Sequence, residues 1–273
     1  MIKDILVNLS YGTSQDGVSN YALSVAETFG AHIMGTAFYP AVVGGVDLSA
    51  NFIRAQQAEA RKHAEAVATA FDEATRHAGV SAETHRVEAG TGDVPTRFAH
   101  IARRFDLSVL GQFEADRDHP TTNSVIEAAL FESGRPVLIV PFIQKDRLKL
   151  DHVMVCWDGS RAAARAVADA MPFLTRSGKA SIVIADIQST KGADLPGADI
   201  ATHLTRHGVN VTIERIPVGR IDVSNAILSY AADTYPDLIV MGGYGHSRVR
   251  DFVLGGATEG ILADMRLPVL LSH

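Results

Sequence analysis

Short apolar runs alternate with helical stripes through the first half of this 273-residue chain, and the same alternation starts again at Asp151. That restart narrows the admissible folds more than any single motif does. Ile5-Leu6-Val7 reads as a short buried strand, and Ala22, Val25, Ala26 and Phe29 then share one face of a helix over 16–29 that Gly30 ends. A strand over 32–38 follows, then a long helix over 51–78 whose Ala64, Val67, Phe71, Ala74 and Ala78 make an amphipathic stripe. The remaining elements are a strand over 84–88, a helix over 94–104 with Pro95 in its first turn, a strand over 107–110, a helix over 124–132 and a strand over 137–140. The second pass predicts strands over 153–156, 180–185, 211–216, 238–241 and 269–271, and helices over 161–174, 200–207, 224–234 and 258–265.

Strand followed by helix, repeated, calls for parallel strands joined by covering helices. The expected fold class is therefore α/β: two tandem open parallel five-stranded sheets with flanking helices, Rossmann-like. Residue echoes support a duplication. Asp106-Leu-Ser-Val-Leu-Gly111 parallels Asp237-Leu-Ile-Val-Met-Gly242, and Ile5-Leu-Val-Asn-Leu-Ser10 parallels Val153-Met-Val-Cys-Trp-Asp158. The joint falls in the charged stretch 144–149, which gives domains at 1–143 and 150–273.

Composition excludes several classes. A net charge of −6 is ill suited to wrapping phosphate backbones, so no nucleic-acid partner is expected. Cys156 is the only cysteine, so no internal disulfide or multi-thiol metal site can form, and the cytoplasm is the simplest compartment. No apolar run approaches the roughly 20 residues that span a bilayer, and the first residues carry no signal-peptide pattern.

The segment richest in chemistry is Met241-Gly-Gly-Tyr-Gly-His-Ser-Arg-Val-Arg-Asp-Phe-Val-Leu-Gly-Gly-Ala-Thr258. Gly242 and Gly245 follow a buried strand, Gly255 comes after nine more residues, and Gly256 succeeds it. Glycines let backbone N–H donors approach phosphate without a Cβ in the way. The next helix, starting around Gly256 to Thr258, would turn a positive dipole end to the same place. His246, Ser247, Arg248 and Arg250 add charge complementary to phosphate, or form a solvated loop. Read without any family, such glycines serve equally well as tight-turn residues.

The spacing resembles the Gly-x-x-Gly, nine residues, Gly-Ser/Thr nucleotide loop of the universal stress protein family, and the chain resembles a tandem member of it. The resemblance implies the adenine nucleotide alpha hydrolase-like fold and ATP as the cofactor, with Mg2+ an accompanying ion. It also implies an internal pseudo-dimer paired through the last strands of the two halves, and it admits a homodimer. Carried over by position, Gly242, Gly245 and Gly255 match the phosphate-binding glycines, and Asp158 matches the acidic residue near base and ribose. Gly256 stands where the family has Ser or Thr, and Thr258 is the nearest replacement hydroxyl. Asp158 also has a structural reading, as the start of an Asp-Gly-Ser turn with Ser160 capping a helix. The expected role is a cytoplasmic stress-response sensor or regulatory module. A slow ATPase or phosphoryl-transfer enzyme and an interaction module with a relic site are the alternatives. No residue is assigned a catalytic or metal-binding role.

The first half lacks the motif. After Gly111 comes an acidic stretch over 112–120 with no second glycine in place, and Ser10 occupies the position of Asp158, so no ATP is expected there. Gly90-Thr91-Gly92 reads as a strand-to-helix turn. His203 and His207 lie four apart, but Leu204 stands where a metalloprotease helix needs Glu, so His207 reads as a last-turn residue favoured by the helix dipole. Cys156 reads as a packing residue.

Overall fold

A computed structural model describes residues 1–9, 15–41, 50–90, 92–113, 121–186, 197–218, 222–243 and 256–273. The element order is β1 (Asp4–Asn8), α1 (Gln15–Phe29), β2 (His32–Pro40), α2 (Ala50–Ala78), β3 (Ala82–Ala89), α3 (Val94–Ala102), β4 (Leu107–Gly111), α4 (Thr121–Glu132) and β5 (Val137–Val140). It restarts with β6 (His152–Cys156), α5 (Arg161–Leu174), β7 (Lys179–Asp186), α6 (Ala198–Arg206), β8 (Val211–Pro217), α7 (Val223–Thr234), β9 (Leu238–Gly242), α8 (Gly256–Asp264) and β10 (Val269–Ser272). Every element expected from the repeat is present. The α/β class is borne out.

Local chemistry explains the boundaries. Gly30 ends α1 in the left-handed region at φ 60°, where the Ala31 N–H donates to the Ala26 carbonyl at 2.9 Å and occupies a helix-end acceptor. At the other kind of terminus, Ser160 caps α5 by accepting from the Ala163 N–H at 3.1 Å, and Asp222 caps α7 by accepting from the Asn225 N–H at 2.8 Å. Hydrogen bonds from Ser224 and Asn225 hold the Asp222 carboxyl below the usual carboxylate range.

The chain divides into two compact units, one made of Met1–Val137 with Lys145–Arg147, the other of Leu138–Gln144 with Leu148–His273. In the first unit the strands run β3-β2-β1-β4, and each hydrogen-bonded pair among them is parallel. In the second the order is β10-β9-β6-β7-β8, again with parallel pairs. The central strands are mostly apolar: Ile5, Leu6, Val7 and Val109 in one unit, and Val153, Met154, Ile239 and Val240 in the other, are buried. That is the pattern expected of strands covered on both faces. Within the second unit the chain leaves β6 for β7 and β8, then crosses back to place β9 on the other side of β6. A topological switch point therefore lies between β6 and β9, and ligands of open α/β sheets bind beyond the carboxyl ends of strands at such a point.

The opposite, amino end of this sheet holds a buried imidazole. His152 is 5% exposed, and its Nε2 lies 2.8 Å from the Ser181 hydroxyl, which in turn lies 3.2 Å from that of Thr212. Burial, helped by the Lys179 charge, pushes the His152 pKa below its ordinary 6.5, although Thr234 and Asp237 oppose the shift. The neutral ring is thus the form that fits the fold. Its contribution to stability is complete above about pH 6.5 and is lost as the pH falls through the lowered folded value. The denaturation midpoint of the protein should decline between about pH 7 and pH 5, and His152→Gln should flatten that decline. An unchanged decline in the variant would place the effect elsewhere.

Candidate nucleotide site

Two segments converge on the switch point. The β6–β9 register pairs Val153 with Leu238, Met154 with Ile239 and Val155 with Val240, so Asp158, two residues past β6, and Gly242, the last residue of β9, lie at neighbouring carboxyl ends. Asp158 is exposed. Its Oδ1 accepts the Ser160 N–H at 2.8 Å across Gly159, which takes φ 75°. The turn-and-cap reading of Asp-Gly-Ser is therefore correct, and it fixes the carboxylate beside the first turn of α5. Cys156 lies beneath. Burial pushes its thiol up to about 12, and the Asp158 carboxylate adds to the shift. A thiol held neutral in this way is no nucleophile.

Gly242 is glycine for a reason the sequence does not reveal. A Cβ there would sit 2.6 Å from the Ala162 carbonyl carbon and 2.6 Å from the Ala163 nitrogen. The first turn of α5 packs directly on the end of β9, and only a bare backbone admits it. Gly243 continues the sheet: its N–H donates to the Ser272 carbonyl at 2.7 Å, and its own carbonyl accepts from the His273 imidazole at 2.9 Å. The Gly243 amide is thus engaged in strand pairing. Gly243 and His273 thus join the carboxyl ends of β9 and β10.

Gly256 opens α8 itself, is exposed, and would place a Cβ in open space. Thr258, at the third helical position, is 3% exposed. The replacement hydroxyl expected from Thr258 is therefore directed into a packed environment, whereas the missing one at Gly256 would face outward. Gly260, one turn on, is excluded from carrying a Cβ by the Ser224 side chain of α7. Gly245, Gly255, His246, Ser247, Arg248 and Arg250 lie outside the described residues.

The first unit repeats the framework. Gly111 ends β4 as Gly242 ends β9, and a Cβ on it would meet the Val18 Cγ2 of α1 at 3.2 Å. Ser10 and residues 114–120 are outside the described set, so that half's departure from the motif stands on sequence. The Gly90–Gly92 turn reading is borne out, since the Asp93 N–H donates to the Gly90 carbonyl at 2.8 Å just before α3. His203 and His207 stack edge to face with ring centroids 4.7 Å apart, and His207 is the C-cap of α6. Among the described residues no group of three or more His, Cys, Asp or Glu is placed to hold a metal ion. Among them, too, no helix is long and apolar enough to cross a membrane.

The family model described as "Universal stress protein family" matches residues 149–273, the stretch that builds the switch point with its carboxylate and glycine-ended strand. The second half of the chain is therefore similar to the universal stress protein family. A curated universal stress protein of Synechocystis sp. is 27% identical over 176 residues, 61% of this chain. The match spans 57% of that relative's length. A crystal structure of a universal stress protein from Archaeoglobus fulgidus superposes with a TM-score of 0.70 at 20% identity, covering 98% of this chain and 97% of its own. A functionally unknown protein from Pseudomonas aeruginosa superposes at 0.62 with 13% identity, covering 99% of this chain and 92% of its own. At these identities the two structures establish the fold of this chain and nothing further.

Proposed function

We propose that the second half, residues 150–273, binds an adenine nucleotide, ATP foremost, and that the protein works as a cytoplasmic stress-response sensor or regulatory module. The first half, residues 1–143, is then a sister domain of the same family that has lost the loop and serves as its structural partner. One observation carries the reading. The exposed Asp158 carboxylate and the glycine end of β9 meet at the switch point between β6 and β9, with α8 starting beyond the glycine segment. A carboxylate there accepts from ribose hydroxyls. The N-terminus of α8 offers donors to phosphates.

Equilibrium titration with ATP tests this. Trp157, the only tryptophan, adjoins Asp158 and supplies a fluorescence signal. Wild-type protein should bind, and Gly245→Val should weaken binding by about tenfold or more, roughly 1.4 kcal/mol. Gly256→Ser restores the family's hydroxyl at a position with open space around it. It should tighten ATP by about 2–10-fold, the worth of one added hydrogen bond. No binding by the unmutated protein removes the nucleotide claim. The relic-site reading then takes its place, since packing accounts for Gly242 and strand pairing engages the Gly243 amide.

A further inference from the structure

The two units differ inside as well as at their rims. In the first unit, Asn8 on β1 pairs in register with Thr36 on β2, so their side chains leave the same face of the sheet. Thr36 is fully buried, and neither its Oγ1 nor the buried Asn8 Oδ1 has a hydrogen-bond partner. Phe38, two residues beyond Thr36 on the same face, packs on Phe98 of α3 with centroids 6.5 Å apart, so α3 covers this face. The matching positions of the second unit are Cys156 and Val183, which are likewise paired in register. A third fully buried orphan, the Ser108 hydroxyl, lies one step away opposite Leu6, and its counterpart opposite Met154 is Ile239. Polar groups thus replace apolar ones at three corresponding places, in one unit only.

A buried hydroxyl or amide left unpaired forfeits its hydration without a replacement, so two facing each other across neighbouring strands call for a partner between them. Strands about 4.8 Å apart leave Asn8 and Thr36 close enough for one small molecule to reach both. Asn8 Oδ1 is an acceptor and needs a donor. Thr36 Oγ1 both donates and accepts. An anion would be repelled by the first oxygen, and a cation would lack enough ligands. We propose that the first unit has an internal site on Asn8 and Thr36 for a neutral hydroxyl group, which donates to Asn8 Oδ1 and exchanges a hydrogen bond with Thr36 Oγ1. The hydroxyl belongs to an ordered water or to a small polyol. The first unit has then exchanged a charged ligand at its rim for an uncharged one in its interior.

A high-resolution crystal structure of the full chain tests the site directly. The expected result is density within 2.5–3.2 Å of both oxygens. It should persist in Thr36→Ser, which keeps the hydroxyl, and vanish in Thr36→Val, which copies the second unit. Native mass spectrometry of protein purified without additives separates the sources. A bound mass above that of water identifies a polyol, and its absence alongside the density identifies water. An empty gap between the two residues overturns the proposal. So does direct bonding of Asn8 and Thr36 to protein atoms, or density that survives Thr36→Val unchanged. None of these outcomes depends on whether the second unit binds ATP.

Discussion

Gly242→Ala should lower the unfolding free energy of the protein by about 1–3 kcal/mol, the usual cost of overpacking. The added carbon would lie 2.6 Å from two backbone atoms of the first turn of α5. A side chain can rotate out of such an overlap, but a helix backbone cannot. Either α5 shifts off β9 or β9 bends, and both disturb the apolar contact beneath. The corresponding glycine of the first unit supplies the control. A Cβ at Gly111 would meet only the Val18 Cγ2, at 3.2 Å. A methyl group can give by a few tenths of an ångström, so Gly111→Ala should cost under about 1 kcal/mol. Denaturant midpoints at constant m-value measure both. Equal losses in the two variants would show that the approach of α5 is softer than its distances imply. The result matters for function, because any loss of ATP affinity in a Gly242 variant would mix unfolding with loss of a phosphate contact. Gly256→Ser is the cleaner probe, since a Cβ there meets no described atom within 4 Å.

Phe98→Ala should have the largest effect of all, about 3–5 kcal/mol. Phe98 is fully buried in α3, and its ring tilts 56° against that of Phe38 on β2. Truncation removes most of the transfer free energy of the ring and leaves a cavity between helix and sheet that backbone relaxation fills only in part. Against a total stability of about 5–15 kcal/mol, the loss is a large fraction. Hydrogen exchange in β1 and β2 should accelerate, since those strands lose their cover. Phe98→Leu, which keeps most of the volume, should recover more than half of the loss. A Phe98→Ala change under 1 kcal/mol would contradict the packing described for that face.

Much of this was legible from the sequence because the determinants are local. Gly30 stops α1 because only a left-handed residue closes that helix end, and Ser160 starts α5 because its hydroxyl satisfies an unpaired amide. The predicted bounds of α5 and β5 match those observed, 161–174 and 137–140. The candidate site was legible only in outline. Asp158 and Gly242 do lie at adjacent strand ends, as the repeat implies. The reason Gly242 lacks a side chain, however, is set by a helix that begins about eighty residues earlier in the chain. Thr258, the nearest replacement hydroxyl in the sequence, is buried. Nothing in Asn8, Thr36 or Ser108 taken singly signals an interior polar site. That emerges only when strand register places two of them together and the sister unit shows apolar residues in their stead.

The vacancy around Gly256 has an implication for how this fold can diversify. A residue at the start of a helix, with no described atom within 4 Å of where its Cβ would lie, can be exchanged for a serine, an aspartate or a lysine without rebuilding the described packing behind it. Ligand preference could therefore drift, or be redirected by engineering, through a single codon while the scaffold stays untouched.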